Sequence, residues 1–241
     1  MMPSVKFALF TDYPELVCFI STRQAGNLKI RVGISNAVIS FLKDQNINSQ
    51  RLIAMEQTHG SHVGRTVEAD AGKIVPGVDG LVTAEADIYL GVNTADCVPL
   101  FFFEPVKKII GVAHAGWKGT LGNIARNTVD KIKSFGSEAK DIRVAIGPHI
   151  GGCCYLVNKS RALQFQSQFQ DDRIAFQSVG EWYVDLGLAN KMQLVEAGIL
   201  NPHIDTPIGC TSCENDRFFS YRKDKKAMFG EMLGIMSLRK S

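Results

Sequence analysis

The 241-residue chain carries no excess of either charge: 27 Lys and Arg stand against 24 Asp and Glu, a formal net of +3. A balance this close supplies no sequence-wide field for nucleic acid. The densest basic run, Arg222-Lys223-Asp224-Lys225-Lys226, is interrupted by an acid and reads as a solvated turn. Long apolar runs are missing too. Val5 to Phe10 is apolar, but Asp12, Pro14 and Glu15 cut it short of signal-peptide or membrane-spanning length. A cytoplasmic protein without a membrane partner is therefore expected. No Pro/Gly/Ser-rich linker, low-complexity tract or fixed-period repeat divides the chain, so residues 1–241 are expected to form one domain. What is present is an ordinary globular balance, 45% hydrophobic and 21% charged, enough for a sizeable core.

Short β-branched or aromatic segments bounded by Gly, Pro or Asp read as strands: Val5 to Phe10, Glu15 to Thr22, Leu52 to Gln57, His62 to Val67, Ile88 to Asn93, Val98 to Phe103, Lys108 to His114 and Ile142 to Gly147. Leu121, Ile124, Ala125, Thr128, Ile132 and Phe135 recur at three- and four-residue steps and line one face, predicting a helix that starts near Asn123 and runs until Gly136. Leu188, Met192, Val195 and Ile199 predict another, with Asp185 as its N-cap. Weaker helical patterns cover Asn36 to Asp44 and Lys159 to Phe169. Strands outnumber helices without regular alternation. That favours an α+β fold, with helices packed outside mixed β-sheets, over a doubly wound parallel one.

Three strand ends place a metal-type ligand beside small residues: Gln57-Thr58-His59-Gly60, Thr94-Ala95-Asp96-Cys97 and Ala113-His114-Ala115-Gly116-Trp117. Two imidazoles and one thiolate suit zinc and leave a fourth position for water or substrate. Spacing alone leaves two other readings open. Cys97 also fits a small buried hydrophobe, with His59 and His114 as turn histidines, and Cys97 with His114 also fits a nucleophile and its base. The remaining cysteines invite a comparison of spacings. Cys210-Thr211-Ser212-Cys213 has the form of half a zinc ribbon, but the adjacent Cys153 and Cys154 cannot supply the other half with ribbon spacing. All four read as free structural thiols.

The residues around these ligands resemble a known family. Gln57-Thr58-His59-Gly60, Asp79-Gly80-Leu81-Val82-Thr83, Thr94-Ala95-Asp96-Cys97-Val98-Pro99, Gly111 to Thr120 (GVAHAGWKGT), Ile146-Gly147-Pro148, Cys210-Thr211 and Phe219-Ser220-Tyr221-Arg222 are similar to the signature blocks of the YfiH-like laccase-domain family, in the family's order and over nearly the whole chain. Departures are few. Ala25 stands where a second Gly is usual, Asn27-Leu28 replaces Val-Ser, Lys118 replaces Arg, and Leu156 stands where an acid is usual. They bear on substrate and phosphate contacts, not on the ligands.

The resemblance implies a compact α+β fold and a metal, zinc with copper as the alternative, on His59, Cys97 and His114. It further implies phosphorolysis of adenosine, inosine, guanosine and methylthioadenosine, together with adenosine deamination. The small-molecule partners would then be a nucleoside and phosphate. An older assignment of the family, copper polyphenol oxidase, needs a cluster of many histidines, and this chain has five in all. A Cys–His hydrolase editing peptidoglycan precursors is the other alternative. Within the leading reading, Asp96 is a candidate proton carrier beside Cys97. Gln57 is a candidate substrate contact, and His149 a candidate pocket residue. Phosphate is assigned to Arg23, whose guanidinium forks onto oxyanions, with Arg222 as a possible companion, or to Lys118 and the Gly116 to Gly122 loop before a helix. The sequence sets neither the preferred nucleoside nor the oligomeric state.

Overall fold

The apolar runs that are too hydrophobic to face water are buried on both faces, and this dictates a layered architecture. A computed structural model describes residues 3–31, 33–205, 209–224 and 229–240. Of the basic run, Arg222 to Asp224 lie in a turn, while Lys225 and Lys226 fall outside the described residues. One mixed sheet has the strand order Ser4–Lys6, Leu16–Ser21, Met232–Leu238, Tyr89–Thr94, Leu52–Met55 and Ile74–Val75. A second runs Ile204–Asp205, Arg143–Ile146, Val98–Glu104, Ile109–Ala115, Gly80–Thr83 and Val63–Arg65. Leu156–Val157, Glu181–Val184 and Ala175–Ser178 form a small third sheet.

Strand alternation assigns each face of the second sheet. In Val98–Glu104, Phe101 and Phe103 join Ile53, Leu90, Val92 and Met236 of the first sheet in one core. Val98, Leu100 and Phe102 point the other way, onto Ile124, Val129, Ile132, Phe165 and Leu194 of the helices. The outer face of the first sheet is closed by Val38, Phe41 and Leu42 of the helix Asn36–Asp44. The result is helix, sheet, sheet, helix, an α+β fold of mixed sheets with helices outside. Burying each such aromatic or aliphatic side chain is worth about 1.5–3 kcal/mol.

The caps lie where side-chain chemistry puts them. Ser35 accepts from the Val38 amide, Asp185 from Leu188, at the head of Leu186–Glu196, and Asn158 from Arg161, at the head of Lys159–Phe169. Two expectations need correction, and one strand was missed. The helix expected to start near Asn123 runs Ile124–Lys133, but the Gly116 to Gly122 stretch expected as a loop contains the short helix Trp117–Leu121, with Asn123 between the two in the left-handed region at φ 61°. Val5 to Phe10 is a strand only to Lys6, after which Ala8–Phe10 turns as a 3-10 helix. Met232–Leu238, a central strand of the first sheet, was not expected from the sequence at all.

Candidate metal centre and its cavity

His114 is the penultimate residue of the strand Ile109–Ala115, opposite Pro99 of the neighbouring strand. Cys97 immediately precedes that neighbouring strand, and His59 sits in the loop after Leu52–Met55. The backbone bends sharply to present them: Gln57, His59 and Asp96 have φ of 58°, 61° and 89°. Non-glycine residues in this region are uncommon and gather at functional sites. The ligand atoms of His59, Cys97 and His114 all lie within 4.8 Å of one another, and the two imidazoles meet edge to face at 4.7 Å.

Two features whose role here sequence reasoning did not foresee make this convergence possible. The first is Asp79, which is fully buried. One carboxylate oxygen meets His114 Nδ1 and the His59 amide, each at 2.9 Å. The other accepts from the Gly60 amide at 2.8 Å and the Thr58 hydroxyl at 2.9 Å. One carboxylate thus orients one ligand ring and holds the loop bearing the other, and its bond to Nδ1 leaves Nε2 of His114 for a metal. The signal in sequence was an Asp-Gly pair inside a family block, with no indication of its partners. The second is Gly116, where a methyl group would lie 3.0 Å from Cys97 Sγ and 3.2 Å from His59 Cδ2. A glycine here leaves the ligands room to meet.

The charges match the geometry. Burial, the largest influence on Cys97, would raise its thiol, but the charge and hydrogen bond of His114, with His59 behind them, bring it down to about 7. For His114, burial works downward and is outweighed by the thiolate of Cys97 and the carboxylate of Asp79, which push it up to about 10. Two anionic groups facing two imidazoles, with His114 buried, Cys97 half-buried and His59 exposed, favour a cation at the centre. The donor set fits zinc, with three protein ligands and a fourth direction open.

The three ligands lie at the wall of a cavity of about 400 Å³, within the usual range for small-molecule sites. Gln57 and Asp96 line it as well. The Gln57 side chain is clamped to the backbone of Asn93, donating to its carbonyl and accepting from its amide, each at 2.8 Å. Asp96 accepts from the Thr211 hydroxyl at 2.6 Å and the Arg222 amide at 2.7 Å. His149 is buried nearby against the Gly147 carbonyl and is not among the lining residues.

The phosphate candidates are distributed differently from the sequence reading. Arg23 is engaged elsewhere: it pairs with Asp224 at 2.7 Å, donates to the Phe218 carbonyl, and lies 4.4 Å over the Phe219 ring. Lys118 is exposed on Trp117–Leu121, outside the lining. The glycines of that stretch serve packing, since a methyl at Gly119 would sit 2.7 Å from the Gly60 carbonyl. The cations that do line the cavity are Arg31, Arg161 and Arg222. Arg161 lies 4.0 Å over the Trp117 ring with its Nε unpartnered. Arg222 donates to the Leu156 carbonyl at 2.7 Å and lies over Tyr155. Arg161 was missed because a single Arg in the first turn of a helix has no distinguishing neighbours in sequence.

The chain belongs to the multi-copper polyphenol oxidoreductase laccase family, whose model matches residues 34–239. It is 39% identical over 201 residues to purine nucleoside phosphorylase YlmD of Geobacillus stearothermophilus, across 79% of this chain and 73% of that protein. It is also 32% identical over 200 residues to adenosine deaminase RL5 from an unknown prokaryotic organism, across 79% and 76% of the respective chains. The crystal structure of the Bacillus licheniformis hypothetical protein YfiH superposes with a TM-score of 0.90 at 30% identity, covering 99% of this chain and 97% of that one. No helix among the described residues is long and apolar enough to cross a membrane.

Proposed function

We propose that the chain is a zinc-dependent purine nucleoside phosphorylase that also deaminates adenosine, with His59, Cys97 and His114 as the metal ligands. The observation that carries this is the convergence of those three side chains on one cavity that also presents aromatic rings and guanidinium groups. The names of the relatives at 39% and 32% identity support it. Histidine supply argues against a multicopper relay: only His59 and His114 of the five histidines join a ligand cluster among the described residues. When bound, zinc supplies a Lewis-acid charge that polarises a substrate atom or acidifies a water.

The chain's own groups supply the rest. Trp117, Tyr155 and Tyr221 line the cavity with apolar faces suited to a purine. Arg161, with an unpartnered nitrogen, and Arg222 hold the phosphate, in place of Arg23 and Lys118. Asp96 carries the proton, at a carboxylate held by the Thr211 hydroxyl and the Arg222 amide. Thiolate ligation needs reduced cysteine, which supports a cytoplasmic setting. The test is product analysis of metal-assayed protein with adenosine and inosine, with and without phosphate. Phosphate-dependent release of free base and ribose-1-phosphate, lost in Cys97→Ala, is expected; turnover that survives that substitution would sink the assigned centre. Activity indifferent to chelators but blocked by alkylation of Cys97 would move the reading to a Cys–His hydrolase.

A further inference from the structure

The four cysteines read from sequence as free thiols are gathered in one place. Cys153, Cys154, Cys210 and Cys213 put their Sγ atoms within 4.8 Å of one another. Ribbon spacing proved irrelevant, because the loop after Arg143–Ile146 and the turn at residues 210–213 are brought side by side by a parallel bridge between His149 and Cys210. We propose that these four thiolates form a second, structural zinc site, closed and tetrahedral, separate from the catalytic centre. Tetrahedral thiolates about 2.3 Å from zinc are about 3.8 Å apart. Cys213 Sγ lies 3.7 Å from Cys153 Sγ and 3.4 Å from Cys154 Sγ, while a disulfide needs about 2.05 Å. Backbone donors are already in place for a thiolate: the Gly151 amide reaches Cys210 Sγ at 3.2 Å, and the Ser212 and Cys213 amides bond the same sulfur. Gly151 clears the space, since a methyl there would lie 3.2 Å from Cys153 Sγ and 3.6 Å from Cys210 Sγ.

Of the two clamped segments, the loop carrying Cys153 and Cys154 lines the cavity with Ile150 and Tyr155, and the turn at residues 210–213 reaches its wall through the bond from the Thr211 hydroxyl to Asp96. Tyr155 follows Cys154 directly, Thr211 lies between two of the cysteines, and Arg222 closes the same turn region through its bond to Asp96. The site therefore holds together the wall that faces the substrate and contributes no open coordination position. The test is elemental analysis of the full chain, produced with added zinc and purified under reducing conditions, beside Cys97→Ala, Cys213→Ser and the two combined. Two zinc ions per chain are expected, falling to one in either single variant and to none in the combination, with folding checked by circular dichroism. Cobalt substitution of Cys97→Ala supplies a second readout, as four thiolates on one cobalt give sulfur-to-metal charge transfer several times stronger than a centre with a single thiolate and visible bands that persist when that centre is removed. One zinc per chain, abolished by Cys97→Ala, would overturn the proposal and leave the catalytic centre standing. Loss of two titratable thiols to a disulfide in the reduced-purified protein would overturn it as well.

Discussion

A single carboxylate carries more of this site than any one ligand. Asp79 bonds the ring of His114, the amides of His59 and Gly60, and the hydroxyl of Thr58. Asp79→Asn keeps the shape but removes the charge and one acceptor, so zinc affinity is expected to fall about 10–100-fold, measured by competition with a chromophoric chelator. Unchanged affinity would show that the loop and ring are held by packing alone. Arg161 tests the other half of the reaction. If its guanidinium receives phosphate, Arg161→Ala raises the KM for phosphate with little change in the KM for nucleoside; an equal rise in both would assign it to the general shape of the cavity.

At the level of elements, what sequence could reveal depended on how local the physics is. Apolar runs such as Val98–Glu104 and caps such as Asp185 were legible because burial and capping are decided within a few residues. Met232–Leu238 was not. Its Met, Gly and Ser residues have weak strand preference, and it is a strand because two neighbours, Leu16–Ser21 and Tyr89–Thr94, need it. The short helix Trp117–Leu121 was hidden because its flanking and internal glycines read as a loop. Of the site, the three ligands were candidates from residue type at strand ends and were singled out from the other readings by resemblance, whereas Asp79, Arg161 and the meeting of four cysteines depend on chain pairings that no local pattern encodes. Gly234 shows how tightly the two sheets depend on each other: a methyl there would lie 2.5 Å from the Phe101 ring. Gly234→Ala is expected to cost about 1–3 kcal/mol through overpacking, lowering the midpoint of urea unfolding without changing its slope. An unaltered midpoint would mean that the ring has room to retreat.

For the molecule as a whole, acid is a specific hazard. Burial pushes the His149 imidazole below the ordinary histidine range, against the opposing pull of the Gly147 carbonyl and the Asp185 and Asp96 carboxylates. The folded chain therefore binds fewer protons at this position than the unfolded chain does. Stability from this residue is full above the unfolded value of about 6.5 and is lost as pH falls below it. Urea midpoints are expected to decline across that window in the native chain and to decline less in His149→Gln; equal slopes would remove His149 from the account. The placement of Met232–Leu238 between Leu16–Ser21 and Tyr89–Thr94 has a consequence in time as well. During synthesis the strand at residues 16–21 emerges more than two hundred residues before its partner at 232–238. The first sheet can close only when nearly all of the described chain has left the ribosome, so the nascent chain must keep that apolar edge from aggregating throughout its own translation.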